Sequence, residues 1–224
     1  MDDNLGTSQH DSVQQTRMTL LETAVRYAEE RHWDVCPGAW IREEEGKEPR
    51  CSCDAPSCAR PGAHPLEDDW EGQASGNAAV VRRMWEEFPQ AAIVLPTGRA
   101  FDVIDVPEVA GCLALARLDR MGVELGPVAG TPDRRLLFFV LPGAAAKVPE
   151  MLRGMGWAPS SLDLITRGEG DYILAPPSKV GTAGAMLWAR PPTQLNRWLP
   201  ETEQLLGALA YACAREGRIT SSKR

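Results

Sequence analysis

The stretch AAIVLPTGRAFDVIDVP, residues 91–107, decides the fold of this chain. It holds two apolar runs, Ala91–Leu95 and Phe101–Val106, and a proline follows each run directly. Short apolar runs that end at proline or glycine predict buried strands. Apolar residues recur at helical spacing before the first run, over 77–88, and after the second run, over 108–121. The sequence therefore predicts two strands that are flanked by helices.

The remainder of the chain continues to alternate strands and helices without a fixed repeat. Such alternation predicts an α/β or α+β fold with a mixed sheet. The first helix is expected to begin at Thr19, because Glu22 three residues later completes a capping box. The other predicted segments are strands at 126–129, 136–141, 162–166 and 172–175 and helices at 145–154 and 193–216.

Composition and charge narrow the class of protein. The 224 residues carry a formal net charge of −7, with 24 Lys and Arg against 31 Asp and Glu. An acidic chain counts against a protein that coats nucleic acid, although a local basic groove stays open. No apolar run is long enough to span a membrane, and the N-terminus lacks the apolar core of a signal peptide. We therefore expect a cytoplasmic protein with reduced cysteines.

Three of the six cysteines fall close together in CSCDAPSCARPGAH, residues 51–64. The spacing C-x-C-x4-C-x5-H offers Cys51, Cys53, Cys58 and His64 as ligands. Three thiolates and one imidazole suit a closed tetrahedral zinc site, in which four protein ligands leave no position open for water. The alternative is a loop of surface thiols without metal. We expect structural zinc, because an unliganded exposed thiol cluster is vulnerable to oxidation.

A second candidate is Asp105, near the end of the predicted strand FDVIDV. Because side chains alternate along a strand, Asp105 shares a face with Val103 and Pro107, and Asp102 points the other way. A buried carboxylate needs a partner, and a metal ion is a common one. The other interpretation is a carboxylate that caps the helix beyond Pro107. Both stay open.

A third candidate is the segment that begins at Asp163 and runs through GEGDYILAPPSK to Trp188. Its glycines permit a tight turn, and Ser178 is followed by Lys179, which is a possible phosphate contact. The alternative is a hairpin with a rigid Pro-Pro exit and no chemistry.

In this order, the motifs resemble the bifunctional DNA primase/polymerase domain of the archaeo-eukaryotic primase superfamily, in an actinobacterial-type member. The resemblance covers roughly residues 20–192. Its most specific parts are Ala175–Ser178 with Gly184 and Trp188, and then Pro61–Pro65. It implies an RRM-like core beside a small zinc element. The implied division is a disordered tail (1–16), a primase/polymerase-like domain (17–192, zinc element about 36–66) and a C-terminal helix and tail (193–224).

The resemblance also implies a chemistry, which is template-directed nucleotidyl transfer with two divalent metals, Mg²⁺ or Mn²⁺. DNA and nucleoside triphosphates would be partners, and other replication proteins could be. Asp105 matches the first metal-holding carboxylate of the family and Asp163 the third. The second carboxylate falls at position 107, which is proline, and the family histidine falls near 136–137, which is Leu-Leu.

Two hypotheses follow from these departures. In an active enzyme, Glu108 would replace the missing carboxylate, and Arg134, Arg135 and Lys179 would contact phosphates. In a degenerate member, the fold and the zinc site would persist as a nucleotide- or nucleic-acid-binding or regulatory module without catalysis. Two missing positions favour the second hypothesis. A purely structural zinc protein is the third possibility.

Overall fold

The structure, a computed structural model, describes residues 19–43 and 45–221. Its helices and strands confirm the α/β class that the sequence predicts. The predicted disordered tail, residues 1–16, lies outside the described residues.

The described residues form six α-helices and twelve short β-strands. The helices are α1 (Leu20–Arg31), α2 (Trp70–Gln73), α3 (Ala78–Glu87), α4 (Glu108–Arg120), α5 (Ala144–Gly154) and α6 (Thr202–Ser221). The strands are β1 (Cys36–Gly38), β2 (Ile41–Arg42), β3 (Arg50–Cys51), β4 (Ala92–Pro96), β5 (Asp102–Pro107), β6 (Val128–Gly130), β7 (Arg135–Val140), β8 (Ile165–Arg167), β9 (Tyr172–Leu174), β10 (Lys179–Val180), β11 (Gly184–Ala185) and β12 (Leu187–Arg190).

The strands assemble into two main sheets and two hairpins. One sheet has five strands in the order β12-β6-β7-β5-β8, and the other has three in the order β1-β4-β9. The hairpins are β2-β3 and β10-β11. Within the described residues every strand pair is antiparallel, where the sequence predicted a mixed sheet. The consecutive strands β4 and β5 lie in different sheets, so no parallel crossover joins them.

The five-stranded sheet separates two hydrophobic cores, because strand side chains alternate between its faces. On β5, Ile104 and Val106 pack with α4, α5 and α6. Val103 packs into the other core, which includes α1, α3 and the three-stranded sheet. The predicted opposition of Asp102 and Asp105 is confirmed, since Asp102 Oδ2 accepts the backbone N–H groups of Gly143 and Ala145, each at 3.1 Å, at the start of α5.

Two sequence predictions require correction. Asp105 does not cap the following helix, because Arg135 and Arg167 bind its carboxylate and Pro107, the N-cap residue of α4, makes no side-chain capping hydrogen bond. The last helix begins at Thr202, not at 193, because Pro200 interrupts the helical segment before it. Leu195 and Trp198 therefore lie before the helix and are 99% and 87% exposed. The later apolar residues Leu205, Leu206 and Leu209 lie within α6 and pack in the core with α4 and α5.

Candidate functional site

Asp105 lies in β5 with only 1% of its side chain exposed, and two arginines from the flanking strands bind it. Arg135 of β7 donates from Nε to Asp105 Oδ1 at 2.5 Å. Arg167 of β8 donates from a terminal guanidinium nitrogen to Asp105 Oδ2 at 2.8 Å. Each carboxylate oxygen of this buried group therefore accepts a charged hydrogen bond, which is the condition under which a buried carboxylate is stable.

Arg135 also binds Asp163, which precedes β8. Its two terminal nitrogens donate to the two carboxylate oxygens of Asp163 at 2.9 and 3.1 Å. Partial burial lowers the pKa of Arg135, but the hydrogen bonds and charges of Asp163 and Asp105 raise it above the ordinary arginine value. We call Asp105, Arg135, Asp163 and Arg167 the Asp105 ion cluster. Its two acids and two bases have a net charge of zero.

The other predicted site residues have different contacts. Glu108, the first residue of α4, accepts a hydrogen bond from Arg134 at 2.9 Å; the Arg134 side chain is exposed and that of Glu108 is half-buried. Lys179 lies on β10 and lines a groove beside Ala175–Ser178, which we call the APPS segment. The structure thus brings Asp105, Asp163 and Arg135 together. Glu108 and Arg134 form a separate pair, and Lys179 alone lies in the groove.

The donor atoms of the Asp105 ion cluster are already engaged by protein cations. Mg²⁺ and Mn²⁺ bind oxygen ligands, commonly one or two carboxylates together with water and substrate phosphates, and these carboxylates must bring negative charge that no protein cation has neutralised. All four carboxylate oxygens of Asp105 and Asp163 accept guanidinium hydrogen bonds. Pro107 offers no side-chain ligand, and Leu137 is the cross-strand partner of Asp105. This donor set does not fit two divalent ions.

The second candidate site is the cluster of Cys51, Cys53, Cys58 and His64, whose ligand atoms all lie within 4.8 Å of one another. His64 Nδ1 lies 2.6 Å from the carbonyl oxygen of Pro65. Because a carbonyl can only accept, Nδ1 carries the proton, and the lone pair of Nε2 is available 3.4 Å from Cys51 Sγ. The four residues could therefore hold zinc in the tetrahedral arrangement that their spacing predicts.

The surroundings of Cys51 favour a metal-binding thiolate. Burial raises the pKa of Cys51, but hydrogen bonds, chiefly those from the backbone N–H groups of Cys53 and Gly62, lower it to about 6. Arg60 joins this loop to β9, since its guanidinium lies over the ring of Tyr172 and donates to the hydroxyl at 3.1 Å. The loop is therefore anchored both by its own ligand residues and by the three-stranded sheet.

A groove of about 1310 Å³ lies between α1, the β2 hairpin and the APPS segment. Tyr27, Trp40 and Trp188 contribute aromatic rings to it, and Lys179 lies at its wall. The Trp188 indole N–H donates to the Tyr27 hydroxyl at 3.1 Å, and that hydroxyl donates to the Pro176 carbonyl at 2.6 Å. The groove wall is thus held by a relay of hydrogen bonds from three separate segments of the chain.

Ser178 does not face this groove with its hydroxyl. It is 1% exposed, and its Oγ accepts the backbone N–H of Ile93 in β4 at 2.7 Å. The serine therefore joins the APPS segment to the three-stranded sheet, and only Lys179 of this pair remains available for a ligand.

The sequence reasoning missed the pairing of Arg135 and Arg167 with Asp105. Arg135 is the cross-strand partner of Pro107 and Arg167 that of Val103, so each lies diagonally beside Asp105 on the same face. The signal that could have found them is a basic residue directly at one end of each of two predicted strands, before 136–141 and after 162–166, because a buried acid on a neighbouring strand needs such partners.

A Cys₃His cluster and a buried acid on an interior strand agree with the resemblance to the primase/polymerase class. The family model for the bifunctional DNA primase/polymerase N-terminal domain matches residues 24–198. The chain belongs to this family. No curated protein matches the chain.

The family match supports the predicted association with DNA and nucleotides at the level of the family. The described part of the chain contains no helix that is both long and apolar enough to cross a membrane.

Proposed function

We propose that this chain is a zinc-stabilised binding module for nucleic acid or nucleotides and does not catalyse nucleotidyl transfer. One observation carries the proposal, namely that Arg135 binds both carboxylates that match the metal-holding positions of the family. Metal-dependent transfer needs carboxylates that are free to hold the ions which stabilise the attacking and leaving oxygens. In this chain the same carboxylates neutralise arginines.

The zinc element has a structural role in this proposal. Cys51, Cys53, Cys58 and His64 would hold Zn²⁺ in a closed site, which orders a long loop of low apolar content. Pro61 and Gly62 of this loop lie against Gly181, between β10 and β11, so that zinc also supports the groove.

The groove is the proposed binding surface. The partly exposed rings of Trp40 and Trp188 offer stacking surfaces to bases irrespective of sequence, and Lys179 offers a cation to the backbone phosphates. The position of Lys179 on one wall of the groove is compatible with a chain that is acidic overall, because positive charge is needed only where the phosphates would lie.

The second candidate is an active enzyme in which Asp105, Glu108 and Asp163 hold Mg²⁺ or Mn²⁺. One observation favours it, because Asp105 and Asp163 lie on either side of a single guanidinium and are therefore close together. A bound triphosphate would then have to withdraw Arg135 from both carboxylates.

A primer-extension assay separates the two candidates. The purified protein receives a primed template, deoxynucleotides and either Mg²⁺ or Mn²⁺, beside an Asp105→Asn/Asp163→Asn double variant and an unrelated polymerase that validates the substrate. We expect no extension above the level of the double variant. Metal-dependent extension that the double variant loses would establish the active enzyme instead.

Binding is tested with fluorescently labelled single-stranded DNA and with labelled deoxynucleotides, by anisotropy at several salt concentrations. We expect Lys179→Ala to weaken DNA binding several-fold and to reduce the salt slope by about 0.7, the value for one phosphate contact on a single strand. The matched control is Lys147→Ala on α5, an exposed lysine outside the groove, which should bind as the natural protein does. Equal losses in both variants, or no binding by the natural protein, would refute the proposed surface.

A further inference from the structure

We infer that Arg135 is a tethered cation that replaces a divalent ion between Asp105 and Asp163, and that removal of its charge creates a binding site for Mn²⁺. This inference rests on the proposed function, because it treats the cluster as a closed charge arrangement and not as a reaction centre. It adds a latent metal site with a defined ligand pair and a defined blocking group.

The guanidinium of Arg135 lies where a metal ion shared by Asp105 and Asp163 would have to lie. Arg135 reaches Asp105 with Nε and Asp163 with both terminal nitrogens, so that the charged group lies between the two carboxylates. A metal ion shared by two carboxylates would occupy the same region, since it must also lie between their oxygens. One guanidinium and one bridging ion therefore exclude each other in space.

The charges of the Asp105 ion cluster also oppose the binding of a divalent ion. With Arg135 and Arg167 in place, the two carboxylates are neutralised, and an added dication would bring an uncompensated charge into a region where Asp105 is 1% exposed. Burial of an unpaired charge is strongly unfavourable. Without the charge of Arg135, the groups Asp105, Asp163 and Arg167 carry a net charge of −1. This negative charge favours the binding of a divalent cation.

Arg135 keeps its positive charge, and so continues to exclude a metal ion, under all conditions in which the protein is folded. An arginine guanidinium stays protonated because its ordinary pKa lies far above neutrality. A change of pH within the range in which proteins stay folded cannot deprotonate the side chain. The site therefore opens only when the residue itself is changed.

The test is a titration of Mn²⁺ followed by electron paramagnetic resonance of the free ion, on protein already saturated with zinc so that the Cys/His site is filled. The natural protein, Arg135→Gln and the matched control Arg134→Gln are compared. Arg134 precedes Arg135 in sequence but pairs with Glu108 in an exposed position. We expect Arg135→Gln alone to gain a Mn²⁺ site, and we expect Arg135→Gln/Asp163→Asn to lose it.

Thermal unfolding supplies a second readout that works even where Arg135→Gln is weakly folded. An ion that binds only the folded state raises its midpoint, so Mn²⁺ should stabilise Arg135→Gln and leave the natural protein and Arg134→Gln unchanged. A natural protein that binds Mn²⁺ in a manner abolished by Asp163→Asn would overturn the inference, and so would an Arg135→Gln variant that neither binds the ion nor gains stability from it. Primer extension reports on the proposed function separately, because Mn²⁺ binding is measured here without template or nucleotide.

Discussion

Arg135→Gln is expected to lower the free energy of unfolding by roughly 3 kcal/mol, at the low end of the cost of breaking a buried ion pair. The carboxylate of Asp105 would keep only Arg167 as a charged partner while it remains buried. Glutamine keeps much of the length of the side chain, so the loss reports on charge and hydrogen bonding more than on volume. Urea denaturation followed by circular dichroism measures the change.

Two comparisons make this prediction specific. Arg134→Gln removes an exposed ion pair with Glu108 and should cost no more than about 1 kcal/mol. Asp105→Asn in the background of Arg135→Gln removes the buried charge that was left with one partner, so the double variant should lose less stability than the sum of the two single losses. A strictly additive double variant, or equal losses for Arg134 and Arg135, would contradict the structural role assigned to the cluster.

Cys58→Ser is expected to reduce zinc affinity by more than about a hundredfold, which exceeds the 10–100-fold loss typical of residues behind the ligands. Serine offers a hydroxyl in place of the soft thiolate that zinc prefers, and the site falls to three effective ligands. The loop that contains the ligands should then lose its order, because zinc binding supplies part of its folding free energy. Competition with a chromogenic chelator measures the affinity, and limited proteolysis reports the order of the loop.

Cys112→Ser is the matched control for the zinc prediction. Cys112 is exposed on α4 and lies outside the Cys/His cluster, so its replacement should leave zinc content and protease resistance unchanged. If purified natural protein contains well below one zinc per chain, or if both serine variants retain zinc equally, the four-ligand site is wrong.

The sequence predicted the Cys/His cluster because its four residues lie within 14 positions of each other, and local spacing alone brings them together. The face of Asp105 was also predictable, since strand alternation depends only on parity. These features need no knowledge of which strands pair. Local rules were sufficient wherever the deciding residues are neighbours in the chain.

The ion cluster lay beyond such rules. Asp105 and Arg167 are separated by 62 positions and meet only because β8 pairs with β5 in one particular register. A shift of one residue in that register would turn Arg167 to the opposite face. The register is set by packing across the whole sheet, so the sequence offered Arg135 as a phosphate contact where the structure shows a partner of two carboxylates.

The buried hydrogen bond of Ser178 has a consequence for how relatives of this chain are recognised. The APPS segment was the most specific part of the family resemblance, yet its serine hydroxyl holds the backbone of β4 and touches no surface. The serine of this segment is therefore part of the framework, whereas the candidate site residues lie on β5, on β7 and before β8. The APPS segment therefore indicates membership of the family but not activity, which has to be judged from the carboxylates of each chain.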